Sequence, residues 1–375
     1  MQSESAVMSG VRAVLMAMLA MLKIMDTINF LRELIAIPAL SGAEGSRADF
    51  VAAWLAREGL AAERIGNNIM VRVPCGRQDA QTVMFCSHID TVRPSAGYTF
   101  DPFSPPHDEE RIYGLGSNDA GGAVTAMIAA ALHFARHGSL TFDLLLLLAA
   151  EEETSGAGGI RLALGSAGNI NCAIVGEPTQ MRAAVAERGL IVLDGMANGT
   201  SAHAAHGEGC NAIYEAMCDI ETLRGFRFSR RSPLMGDVRM AVTQIAAGTQ
   251  HNVIPDRCTF VVDVRPTDIY TNEEIVAELQ AAMTGSTLTP RSLTNRSSAT
   301  PVEHPLFRCI ERLGIETYVS PTTSDWVCLG AIPAVKMGPG DSRRSHSPDE
   351  FIFTEELAHG VAGYVDFLEC LSRNF

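Results

Sequence analysis

This 375-residue chain lacks most of what would mark it as secreted, membrane-embedded or nucleic-acid-binding. Its nine cysteines are odd in number and contain no Cys-x-x-Cys pair, which argues against a disulfide framework and for a reducing compartment. Positive charge is in short supply. Lys and Arg total 29 against 43 Asp and Glu, and the net charge of −14 disfavours nucleic acid or an anionic membrane as partner. No repeat or low-complexity segment occurs. The apolar stretch Ala13–Leu22, between Arg12 and Lys23, falls short of the ~20 residues that a membrane span needs. No small-x-small cleavage site follows to make it the core of a signal peptide. We read residues 1–25 as an N-terminal extension without catalytic role, with Met21 and Met25 among the alternative starts. With 47% hydrophobic residues the remainder can hold one large core and a smaller second domain, as expected of a cytoplasmic metabolic enzyme.

What the chain does have is a series of acids and histidines, each set in its own short motif. Gln81–Ser87 is an apolar run of strand type, and His88-Ile-Asp90 follows where such a strand leaves its sheet. Asp90, two residues from His88, suits the role of accepting the proton of the second ring nitrogen and so orienting the imidazole toward a metal; in isolation the pair is also an ordinary surface motif. Asp119 stands in a glycine-rich loop opening into an apolar helix, where it is either a helix cap or a carboxylate bridging two metals. Phe142–Ala150 is a continuous apolar strand that ends in Glu151-Glu152-Glu153. Acids so crowded beside a buried strand repel one another unless a cation compensates them. That setting favours metal ligation plus one free general base over a merely solvated charge run. Asn171–Glu177 repeats the pattern of strand then acid, and Ser345-His346-Ser-Pro-Asp-Glu350 supplies a late histidine after the glycine-rich Met337–Gly340. Imidazole nitrogen and carboxylate oxygen suit zinc and its first-row neighbours. Two such ions about 4 Å apart can share and ionise one water.

In order and context these motifs resemble the dinuclear zinc amidohydrolase and exopeptidase family that includes acetylornithine deacetylase, succinyl-diaminopimelate desuccinylase, aminoacylase and glutamate carboxypeptidase. The resemblance runs from about Asp26 to the C-terminus. It implies two zinc ions per chain, with cobalt able to substitute. Asp119 would bridge them, His88 and Glu177 would complete one and Glu153 and His346 the other, and Glu152 would be the general base. Glu187-Arg188-Gly189, the His203 motif, His251-Asn252 and Arg265 match further family positions. The nearest likeness is to deacylases acting on N-acetyl- or N-succinyl-ornithine or on N-acetylcitrulline in arginine biosynthesis. Trp326, after Ser324-Asp325, departs from that pattern where a smaller or polar residue is expected.

From Met181 to about Thr294 the pattern reads βαββαβ, a two-layer α+β sandwich inserted into the main domain. The catalytic domain is then an α/β mixed sheet wrapped by helices, of zinc-exopeptidase type, assembled from residues 26–180 and 295–375. By the resemblance, the insert at 181–294 forms a lid and a homodimer contact. Glu152 would take a proton from water and pass it to the leaving nitrogen. His203 and Asn252 would hydrogen-bond the oxyanion. Arg188 and Arg265, with backbone N–H groups near Gly338 and Gly340, would grip the carboxylate of an N-acyl amino acid. The two arginines equally suit interdomain salt bridges. Two rivals remain, a dipeptidase or carboxypeptidase using the same site, and a non-catalytic metal- or amino-acid-binding protein. A free base such as Glu152 argues against the second.

Overall fold

The computed structural model describes residues 26–138 and 140–374, so the reading of residues 1–25 lies outside the described residues. Among the described residues no helix is long and apolar enough to cross a membrane. The chain forms two compact units. One holds the residues up to Ala184 with Thr300–Tyr318 and Ala331–Phe375, the other Val185–Ala299 with Val319–Gly330. The borders expected from the sequence were 180/181 and 294/295, and Val319–Gly330 was expected in the catalytic part. That segment is held to the smaller unit by long-range bonds, Ser324 Oγ donating to Glu187 Oε2 at 2.7 Å and Arg188 N to Ser320 O at 3.1 Å.

The first unit begins with α1 (26–35), α2 (Gly45–Arg57), β1 (Ala62–Ile65), β2 (Asn68–Val73), β3 (Thr82–His88) and β4 (Arg111–Tyr113). It continues through α3 (Gly122–His137), β5 (Asp143–Ala149), α4 (Ile160–Ala167) and β6 (Cys172–Val175) into β7 (Ala183–Glu187). Leu144–Leu148 of β5 are each at most 1% exposed, so both faces of the strand are covered. Burial on that scale stabilises by about 1.5–3 kcal/mol per leucine. A strand without a polar face belongs in a sheet interior. Accordingly β2 flanks β5 antiparallel, β3 flanks it parallel, and β3 in turn pairs parallel with β6.

The second unit contains β8 (Ile191–Asn198), β9 (Ala202–His203), α5 (Ala212–Gly225), β10 (Arg239–Ala247), β11 (Val253–Ile254), β12 (Arg257–Arg265), α6 (Asn272–Ala282), β13 (Ser286–Pro290) and β14 (Ser298–Ala299). β10, β12, β8 and β13 form an antiparallel sheet in that order. Alternation along β12 turns Cys258, Phe260, Val262 and Val264 into a core with Ala212 and Ala216 of α5 and Ile275 and Leu279 of α6. Asn211 caps α5 by accepting from Ile213 N at 3.0 Å, and Thr271 and Glu274 cap α6 reciprocally.

The chain then runs through α7 (Pro305–Arg312), β15 (Thr317–Ser320), β16 (Ala334–Lys336), β17 (Phe351–Phe353) and α8 (Thr354–Ser372). β16 joins β6 in parallel, with Lys336 opposite Val175. β3, β5, β6 and β16 therefore point one way. Their register gathers their carboxyl ends, His88 lying opposite Ala149 and Cys86 opposite Val175. Each strand is followed by a segment of candidate ligands: His88–Asp90, Glu151–Glu153, Glu177 and the loop ending at His346. In open α/β sheets that edge is where sites form.

Candidate metal centre

His88 ends β3 with its ring almost fully buried, and its Nε2 lies 3.2 Å from Asp119 Oδ1 and 3.9 Å from Glu177 Oε1. His346 Nε2 lies 3.1 Å from Glu153 Oε1 and 3.6 Å from Asp119 Oδ2. Asp119 thus presents one carboxylate oxygen to each histidine. Ligand atoms of His88, Asp119 and Glu153 fall within 4.8 Å of one another, close enough to hold a metal ion. Asp119 is no helix cap. Its backbone departs from helical geometry (φ −118°, ψ 99°) ahead of α3, and the start of α3 has no side-chain cap bond.

The three consecutive glutamates separate in role. Glu151 has a left-handed backbone (φ 54°), and its carboxylate accepts from Gly158 N at 2.9 Å, inside the glycine turn that follows. A Cβ at Gly156 or Gly158 would collide with that carboxylate, which is why small residues follow the acids. Asp90 holds the other two. Its Oδ1 accepts from Glu152 N and its Oδ2 from Glu153 N, both at 3.1 Å, and Ser41 Oγ donates to Oδ2 at 2.7 Å. His88 Nδ1 faces the same residue, 3.1 Å from the Asp90 carbonyl and 3.4 Å from Oδ1. Asp90 therefore ties the His88 turn to the glutamate loop.

His346 occupies a left-handed conformation (φ 57°), of a kind that typically costs about 1–3 kcal/mol and persists only when neighbouring contacts enforce it. Arg344, two residues earlier, is anchored by a two-pronged pair with Glu356 and by a 3.1 Å bond to Phe351 O. Gly340 has φ +89°, and a side chain there would strike Asn118, so the loop and the Asp119 turn meet only through a glycine. Gly338 N already bonds Thr179 Oγ1 at 3.0 Å, and Gly338 O and Gly340 O accept from Met181 and Gln180 N.

Burial drives the Glu177 carboxyl up to about 8, with Asp119 and Glu153 pushing further and His88 and Lys336 pulling back. For His88, burial opposes the charged form, but bonds to Asp119 and Asp90 and the charges of Glu152 and Glu177 raise its pKa well above the usual value. The bond to Glu153 lifts His346 to about 9 against its partial burial. Burial likewise opposes ionisation of Asp119, yet the His88 bond and the charges of His88 and His346 hold its pKa below the usual carboxylate value. Two imidazoles that favour their protons thus face the acids Asp119, Glu152 and Glu153, with Glu177 held toward its neutral form by burial. This donor set is short of positive charge, and a divalent cation fits it.

The residues expected to contact substrate from the second unit divide into two groups. His203 is exposed and pairs with Val253 across β9 and β11, while Ala204 N donates to Asn252 O at 3.0 Å, so His203 and Asn252 are neighbours. His203 Nδ1 accepts from Ala205 N at 3.2 Å. The neutral ring then carries its proton on Nε2. Arg188 is buried, and its guanidinium donates to the carbonyls of Asp237 (2.8 Å), Met235 and Arg265. Arg265 pairs with Asp263 at 2.7 Å. Trp326 is 1% exposed, so the departure from the family pattern is a buried side chain. Sequence reasoning did not single out the buried Glu44 and Arg47, or the roles of Asn118 and Glu350. Glu350 closes a motif that could have drawn attention, whereas Glu44 and Arg47 read as ordinary residues at the start of an amphipathic helix.

Imidazoles and carboxylates gathered at the carboxyl edge of a mixed α/β sheet define a metal-dependent hydrolase. The model of peptidase family M20/M25/M40 matches residues 84–369, and the chain belongs to this family. It is 29% identical over 364 residues to an acetylornithine deacetylase of Proteus mirabilis, covering 88% of this chain and 93% of that one. It is 28% identical over 353 residues to a peptidase M20 domain-containing protein of Schizosaccharomyces pombe, covering 90% and 83%. Among solved structures, the YXEP protein of Bacillus subtilis, described as a dinuclear metal-binding peptidase of the M20 family, superposes with a TM-score of 0.73 at 16% identity, covering 94% and 99%. The motif resemblance and these relatives agree on the family.

Proposed function

We propose that the protein hydrolyses the amide bond of an N-acyl amino acid, releasing the free amino acid and a carboxylate, with two zinc ions that cobalt can replace. The observation that carries this reading is the placement of Asp119, with Oδ1 3.2 Å from His88, which lies 3.9 Å from Glu177, and Oδ2 3.6 Å from His346, which lies 3.1 Å from Glu153. Bound there, a pair of divalent ions supplies an ionised water near neutral pH and a Lewis acid for the acyl carbonyl. Asp119 would serve both positions, His88 and Glu177 would hold one ion, and Glu153 and His346 the other. Glu152, its amide fixed by Asp90, accepts the proton of the water and returns it to the departing nitrogen. His203, with its proton on Nε2, and Asn252 are assigned to the oxyanion. Arg265 is assigned to the α-carboxylate.

The substrates proposed are N-acetyl- or N-succinyl-ornithine or N-acetylcitrulline, which places the enzyme in arginine biosynthesis in the cytoplasm. Similarity to acetylornithine deacetylase supports this choice. A homodimer through the second unit is part of the proposal. Tyr214 and Met217 on α5 and Ile245 on β10 are 65%, 56% and 55% exposed, and β10 is an edge strand, the kind of surface that a partner covers. A second reading, cleavage of a short peptide, is favoured by the peptidase description of the Bacillus subtilis neighbour. Turnover on a panel of N-acyl amino acids and dipeptides separates the two. Cleavage of dipeptides alone would overturn the first.

A further inference from the structure

Glu350 is 2% exposed, yet it sits among acids, four residues after His346. Its carboxylate is fully engaged with one turn of main chain. Oε1 accepts from Asn118 N and Asp119 N, both at 2.9 Å, and Oε2 accepts from Gly116 N at 3.2 Å. Three convergent N–H groups form a concave anion seat, here filled from within the chain. Gly116 has φ +79°, which turns its N–H into that seat. Burial and Asp119 push the Glu350 carboxyl up to about 7 against the pull of these N–H bonds, and Arg47, also 2% exposed and pinned to the Ile37 and Ile89 carbonyls, lies within the field of Asp90, Glu350 and Glu44.

The bonding runs both ways between the two loops. Asn118 Nδ2 donates to Asp341 O at 3.1 Å and to Ser345 Oγ at 3.2 Å, and Asn118 Oδ1 accepts from Asp341 N at 2.9 Å. The segment that carries His346 thus reaches back through Glu350 to hold the amide of Asp119, the residue facing both histidines. An ordinary structural acid could be placed anywhere along the turn. This one bonds the ligand's own N–H together with those of Asn118 and Gly116.

We propose that Glu350 is a positioning residue, which sets the angle of the Asp119 carboxylate so that its two oxygens serve two metal positions at once. The inference rests on the two-metal reading above. With Glu350→Gln the side chain keeps its volume but offers one oxygen, so an NH2 group meets at least one of the three amides. Two measurements decide: calorimetric titration of manganese into the chelated protein, and the magnetic resonance spectrum of the manganese-loaded protein. The wild type should bind two ions and show exchange coupling through the shared carboxylate. Glu350→Gln, with a melting temperature of its metal-free form near that of the wild type, should bind the pair about 10–100-fold more weakly and lose the coupling. It should also lower kcat with KM unchanged.

Wild-type affinity and coupling in Glu350→Gln would overturn the inference while leaving the two-metal reading intact. The same holds if affinity falls only in step with metal-free stability and the coupling survives. A wild type that binds no ion would overturn both.

Discussion

Replacing Asp90 with asparagine is the change whose size the structure bounds most tightly. Each carboxylate oxygen of Asp90 receives a main-chain N–H, from Glu152 and from Glu153 at 3.1 Å, while Ser41 Oγ donates at 2.7 Å and His88 Nδ1 lies 3.4 Å away. Asparagine preserves the shape but has one oxygen. Whichever way its amide turns, one of the two main-chain donors meets an NH2 group. A buried donor without an acceptor costs about 1–3 kcal/mol, which corresponds to roughly 5- to 150-fold at 1.36 kcal/mol per tenfold. Outer partners of metal-binding histidines commonly cost ~10–100-fold in affinity or activity, in the same range. Asp90→Asn should therefore remain folded, bind zinc about 10–100-fold more weakly in competition with a chelator, and turn over more slowly even at saturating metal. Wild-type zinc affinity together with wild-type kcat would refute the view that Asp90 orients both His88 and the glutamate loop.

Other outcomes follow from the same geometry. Glu152→Ala should keep its metal and lose about 10²–10⁴-fold in turnover, as loss of a general base does, whereas Glu153→Ala should lose metal; reversed effects would shift the assignment by one residue. In chelated protein two of the raised groups, His346 and Glu177, act in the same direction. His346, raised from 6.5 to about 9, contributes stability that is complete below pH 6.5 and lost by pH 9, and Glu177, raised from 4.5 to about 8, costs stability as pH climbs between those values. The melting temperature of the metal-free form should fall from pH 6.5 to 9 and zinc should reverse the trend; a rise over that range would count against the site's charge balance. If His203 serves the partner subunit, inactive His203→Ala and Glu152→Ala chains refolded together should recover about a quarter of wild-type activity. Mixed dimers without recovery would place His203 at its own chain's site or outside catalysis.

Much of this was legible in the sequence because its signals are local. The Leu144–Leu148 run could only be an interior strand, and glycine turns beside isolated acids marked the places where strands end. The βαββαβ order of the second unit followed from the pattern of its strand and helix segments. Long-range contacts were less visible. Val319–Gly330 joins the second unit through Ser324 and Glu187, 137 residues apart in the chain. Arg188 reads in the sequence as a grip for a substrate carboxylate or as a salt-bridge partner, and only the folded chain reveals three carbonyls around it. The separate fates of Glu151, Glu152 and Glu153 depend on the left-handed turn at Glu151 and on Asp90, neither of which any periodicity encodes.

The most direct test measures bound metal and turnover on the same preparation. Purified protein should carry about two divalent ions per chain, lose activity to a chelator, and regain it with zinc or cobalt on N-acetylornithine, N-acetylcitrulline or N-succinylornithine. A fully active, metal-free protein would contradict the account at its centre.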